Sequence, residues 1–128
     1  MREYTEGAAQ SFKLGAAVVL DASQFVTECG ADPASLIGFA AHPAGKGLPS
    51  TKDLVYVASE GQKFWMSGTS NPVYADTNKL YGIVKDANGI WTVDKTDVVN
   101  TRVYIHAVDL DRNLYLASVL AANRQAAP

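Results

Sequence analysis

A single cysteine, Cys29, excludes an internal disulfide. Long apolar runs are missing as well. The longest, Ala16 to Leu20, has the length of a strand and not of a transmembrane helix. The opening stretch "MREYTEGAAQSF" lacks the apolar region of a secretory signal, so folding in a reducing cytoplasm is expected. There is no excess of positive charge: the net charge is −2, without the footprint of a direct nucleic-acid binder. With only two histidines and one cysteine, soft metal ligands are scarce.

What is present is a packed-core composition in 128 residues, the size of one domain. Short β-prone runs alternate with turn signals. "AAVVL" (16–20) and "QFVTE" (24–28) flank Asp21-Ala22-Ser23, and "SLIGFAA" (35–41) follows the turn initiator Asp32-Pro33. "DLVYVAS" (53–59) and "KFWMS" (63–67) flank Glu60-Gly61-Gln62. "LYGIVKD" (80–86) and "IWTVD" (90–94) flank Asn88-Gly89, which predicts a type I′ hairpin. "RVYIHAVDL" (102–110) and "NLYLASVL" (113–120) flank Asp111-Arg112.

About nine strands at this spacing predict an all-β fold, a small single-domain β-barrel or sandwich. The domain spans residues 13–120, with an N-terminal arm (1–12) and a C-terminal tail (121–128), both small and polar and expected to be flexible until they meet a neighbour. Segments 42–52 and 68–79 read as loops, the latter with one helical turn after Pro72. Alternation in 102–110 places Val103, Ile105 and Ala107 on one face and Arg102, Tyr104 and His106 on the other. The run at 53–59 is apolar on both faces, Val55 and Val57 against Leu54, Tyr56 and Ala58, which predicts cover by a core on one side and a partner on the other. No internal repeat of useful length stands out.

The chemistry-bearing residues do not form a catalytic pattern. Cys29 has no marked base partner and reads as a semi-buried hydrophobe at a strand end. His42 precedes Pro43 in a loop, and His106 sits in a strand, so neither belongs to a metal set. Asp109, Asp111 and Asn113 echo a calcium loop, but Leu114 and Leu120 stand where glycine and glutamate are needed, so the segment reads as a hairpin turn. Lys46 and Gly47 break the phosphate-loop spacing. Trp65, Trp91, Tyr56, Tyr81, Tyr104 and Tyr115 lie in strand-like runs and read as core or interface packing. No cofactor, metal or enzymatic activity is expected.

The stretch "SFKLGAAVVLDASQFVTECGADPASLIGFAAHPAG" resembles the head decoration, or capsid cement, proteins of tailed phages. The matching positions are Gly15, Val18, Val26, Pro33, Leu36, Ile37, Gly38, Phe39 and Ala40. The later stretch "KLYGIVKDANGIWTVDKTDVVNTRVYIHAVD" is similar to the second half of such proteins. The resemblance implies a non-enzymatic β-barrel made in the host cytoplasm and carried on the outer surface of the virion capsid. It also implies a homotrimer that bridges the major capsid protein, without direct contact to nucleic acid or membrane. Candidate oligomer or capsid contacts are Tyr4, Phe12, Leu54, Tyr56, Tyr104 and His106. The competing readings are a tail or baseplate β-barrel module and a small-ligand-binding β-barrel.

Overall fold

The computed structural model describes residues 1–45, 52–58 and 62–125. The turn read at 60–62, the phosphate-loop residues Lys46 and Gly47, and the last three positions of the tail therefore lie wholly or partly outside the described residues. The fold is all-β. Its strands are β1 (Arg2–Thr5), β2 (Ala17–Leu20), β3 (Val26–Glu28), β4 (Gly38–Ala40), β5 (Lys52–Val57), β6 (Phe64–Met66), β7 (Leu80–Lys85), β8 (Trp91–Asp94), β9 (Val103–Asp109) and β10 (Leu114–Val119). Every β-prone run read from the sequence coincides with one of β2 to β10 to within a few residues, and a 3-10 turn, Tyr74–Asp76, follows Pro72, with a second at Ala121–Asn123.

The strands form two antiparallel five-stranded sheets, ordered β1-β5-β4-β2-β3 and β6-β10-β9-β7-β8. The second order is the first with every strand advanced by five, so the chain is two modules of one topology. The register repeats too. Val18, Val19 and Leu20 face Glu28, Thr27 and Val26; Ile83, Val84 and Lys85 face Val93, Thr92 and Trp91. Tyr4 faces Asp53 and Glu3 faces Leu54; Met66 faces Tyr115 and Trp65 faces Leu116. Each sheet curls until its edges meet at one parallel bridge, Glu6 to Val26 in the first and Gly68 to Val93 in the second. Curling in this way removes much of the exposed edge that an open sheet presents.

The inner faces of both sheets build one core. Val18, Val26, Val55 and Val57 come from the first module, and Ile83, Val93, Ile105 and Tyr115 from the second. Each such side chain contributes about 1.5–3 kcal/mol on burial. Alternation sets the inner face of β5, where Val55 and Val57 are buried while Leu54 and Tyr56 are exposed. Gly38 is needed for a close approach: a Cβ there would sit 2.0 Å from the Tyr56 carbonyl oxygen.

Four expectations are corrected. Residues 1–12 are not an arm, since β1 pairs along β5 and Phe12 is only 3% exposed, a core side chain unavailable to any partner. The tail is docked as far as Gln125, whose side chain both accepts from the Leu20 N–H (2.8 Å) and donates to the Leu20 carbonyl (3.0 Å). The Asn88-Gly89 hairpin is not type I′, because Gly89 has positive φ and Asn88 does not. Its loop is a type I turn closed by a left-handed glycine, in which the Asp86 carboxylate takes the N–H groups of Asn88 and Ile90. Finally, β9 carries a bulge at His106: Leu116 faces Ala107 while Ala117 faces Ile105. The extra residue shifts the alternation, so Val108 and not Ala107 packs toward the core.

Candidate functional site

Two features stand out against the packing rules. The first is apolar surface left uncovered. On the outer face of β5, Leu54 and Tyr56 are about as exposed as residues in a loop, and between the modules Trp65 is 54% exposed and Leu14 60%. Tyr56, Trp65, Leu14 and Ile90 flank a groove of about 510 Å³. Its floor is aromatic, with Phe39 and Phe64 rings at 4.4 Å between centroids and Phe64 and Tyr56 at 6.4 Å. Lys63, Gln62 and Ser67 add the polar groups. Burying large exposed apolar side chains against a partner is what this chemistry offers.

Tyr104 and His106 occupy the matching outer face of the second module, on β9, with ring centroids 4.7 Å apart. The Tyr104 hydroxyl donates to Asn78 Oδ1, and His106 Nε2 bonds the Ser118 hydroxyl at 2.7 Å. Burial first, then the charge of Lys63, holds the His106 pKa below the usual imidazole value. Tyr4 points the other way, inward beside Asp53. Of the predicted contact residues, Leu54 and Tyr56 are thus brought together on one exposed face, and Tyr104 and His106 lie half-buried on another.

The second feature is a buried acidic pair that sequence reading missed. Asp53 is fully buried and Glu6 nearly so. Glu6 Oε1 accepts from the Gly45 N–H at 2.6 Å. Glu6 Oε2, both Asp53 oxygens and the Tyr4 hydroxyl are buried without a hydrogen-bond partner. His42 Nδ1 is 4.0 Å from Asp53 Oδ1. Its ring is already committed, with Nε2 accepting from the Leu54 N–H at 3.0 Å and Nδ1 donating to the Pro43 carbonyl at 2.8 Å.

Other chemistry-bearing side chains are tied into structure. Burial, then the charge of Glu28, pushes the Cys29 thiol up to about 12, so it stays a thiol at neutral pH. The Asp109 carboxylate accepts the N–H groups of Asp111 and Arg112 and so shapes its own turn. Trp91 is a core residue whose indole N–H donates to Glu28 at 2.9 Å. No family model and no curated protein matches the chain.

Proposed function

We propose that the protein is a non-enzymatic structural component of a tailed-phage virion that attaches to the outside of the assembled head and stabilises the capsid lattice. It binds the major capsid protein and associates with copies of itself, as a homotrimer, on the capsid surface. The observation that carries this reading is the exposed apolar face of β5, Leu54 and Tyr56, continuing into the groove beside Trp65. A rigid double module that leaves such residues uncovered has a surface suited to burial against other subunits. The capsid-cement resemblance of the β2–β4 segment supplies the identity of those subunits. Net charge −2 suits a position outside the shell, away from packaged nucleic acid.

Co-sedimentation with expanded capsids tests the reading. Wild type is expected to pellet with capsids and to stay in solution with unassembled capsid subunits. Tyr56→Ser and Trp65→Lys, both at exposed positions, are expected to reduce the bound fraction while leaving the melting temperature near wild type. Equal binding by all three proteins would remove this face from the contact. A wild-type protein that ignores capsids and forms a hexameric ring in solution would place it in a tail or baseplate instead.

A further inference from the structure

The two modules allow an internal comparison. With the closing bridges superposed, Glu6 on Gly68, the position that Asp53 holds in β5 falls to Tyr115, and Met66 stands where Tyr4 stands in β1. Past the end of β6, Gly68 makes the closing bridge that Glu6 makes past the end of β1. Gly68 lies so close to the Tyr115 ring that an added Cβ would sit 2.4 Å from it. The fold therefore closes this corner with an aromatic ring over a glycine and has no need of carboxyls there. In the first module the same corner holds Glu6 and Asp53, out of contact with water.

Two buried carboxylates side by side need a counter-charge, and among the described residues none stands against them. Among the described residues, the charged or titratable groups facing Asp53 are Glu6, from the end of β1, His42, from the turn after β4, and Tyr4 across the β1–β5 pair. The two hydrogen bonds of His42 hold its ring as the neutral Nδ1–H tautomer, because Nε2 must accept from Leu54. Tyr4 offers only a neutral hydroxyl. Lys52, next to Asp53 in sequence, points to the opposite face and donates to the Thr5 hydroxyl at 2.7 Å. What remains is a proton held between the two carboxyls.

We propose that Glu6 and Asp53 form a proton-operated latch that seats β1 on the first module: one shared proton holds the strand, and its loss to solvent loosens it. Glu6 is the member that yields. Asp53 lies in β5, which is paired along its length by β1 and β4, whereas β1 has a ladder with β5 alone and beyond its end Glu6 makes a single bridge to Val26. Burial first, then the hydrogen bond to Glu6 and its charge, push Asp53 up to about 6 from 3.8; a protonated His42 would pull the other way, but its two hydrogen bonds keep the ring neutral. A raised carboxyl pKa means that the seated strand binds the proton more tightly than the released one. Seating is therefore strongest below about 3.8, weakens as pH rises, and has lost the whole contribution above about 6. Two pKa units correspond to roughly 100-fold in the seating equilibrium.

Amide hydrogen exchange followed by mass spectrometry, at about pH 5 and about pH 8 and corrected for intrinsic rates, reads the latch directly. Protection of the β1 amides, relative to those of β6 and β10 in the same molecule, is expected to fall at least about tenfold toward the higher pH. In Asp53→Asn, which cannot ionise, that difference should vanish. Should Asp53→Asn not fold, Glu6→Gln, which removes the partner carboxyl but leaves Asp53 buried, should shrink the difference, and a carboxyl carbon NMR titration of the wild type stands apart from both. Asp53 is expected to titrate near pH 6. The latch is overturned by β1 protection that does not change with pH, by a pH dependence that persists in Asp53→Asn or is undiminished in Glu6→Gln, or by Asp53 titrating below about pH 4.5. None of these readings depends on what the protein attaches to.

Discussion

Gln24 and Gly89 stand at the same point of the same turn. In the β2–β3 hairpin the Asp21 carbonyl accepts from the Gln24 N–H at 2.9 Å, and in the β7–β8 hairpin the Asp86 carbonyl accepts from the Gly89 N–H at 3.1 Å. Both residues are left-handed, with φ of 65° and 81°. In each loop the aspartate Oδ1 also takes two further N–H groups, from Ser23 and Phe25 in one and from Asn88 and Ile90 in the other. Only the second loop has the residue that this conformation favours.

Gln24→Gly is therefore expected to stabilise the protein, by up to about 1 kcal/mol, the relief of left-handed strain less the added freedom of the unfolded chain. Gly89→Val runs the other way and should lower stability by about 1 kcal/mol or more. Urea unfolding of the two variants measures both. Equal midpoints would mean that the loops do not feel the conformation they share.

Gly38→Ala is expected to be far more damaging than either. The new methyl meets the Tyr56 carbonyl, a backbone atom held by the β4–β5 ladder, and cannot be accommodated by a side-chain rotation. A loss of about 3 kcal/mol follows from overpacking on this scale. Thermal melting provides the check, and a variant that melts like wild type would place the strands further apart than described.

Deleting residues 1–11 is expected to lower the melting temperature markedly. The deletion removes β1, uncovers the β5 ladder and takes away Glu6, which closes the first sheet. A truncated protein with an unchanged melt would restore the picture of a free N-terminal arm.

Asp76 governs acid stability, with a sign opposite to that of Asp53. Its burial disfavours the charge, but the Val73 N–H, the Tyr81 hydroxyl and the Lys95 ammonium, at 2.7–2.9 Å, more than offset this and hold its pKa below the usual carboxylate value. A depressed folded pKa gives stability that is complete above the unfolded value of 3.8 and is lost as pH falls through the folded one. Asp76→Asn is expected to lose about 2 kcal/mol at neutral pH, as the Tyr81 hydroxyl and the half-buried Lys95 lose a charged acceptor. The variant's stability should also vary less with pH in the acid range. An acid limb identical to that of wild type would show that another carboxylate controls it.

The strands were legible because their side chains alternate, and β5 and β10 bury the residues that alternation selects. β1 was not, since Arg2 and Glu3 put charge on both faces and its strand character comes only from pairing with β5. The bulge at His106 left no mark in composition and moved Val108 inward. Duplication is faint in the text: "VVLDASQFVT" (18–27) and "IVKDANGIWT" (83–92) agree at Val19/Val84, Asp21/Asp86, Ala22/Ala87 and Thr27/Thr92. Each of these residues serves the hairpin, and the rest of the repeat is carried by register, which tolerates almost any apolar residue. Leu54 and Tyr56 were readable as an exposed apolar pair. Glu6 and Asp53 were not, because only the β1–β5 pairing brings two distant polar residues into one dry corner.

The repeated topology also changes what kind of event completing this core is. Two separate five-stranded chains would have to find one another by diffusion. Here the stretch between Val57 and Phe64 keeps the second half at an effective concentration on the order of millimolar around the first. Severing the backbone in that stretch would leave the inward-facing residues of both halves unaltered and yet turn a unimolecular reaction into a bimolecular one. The melting temperature of the cut protein would then rise with protein concentration, where that of the intact chain would not.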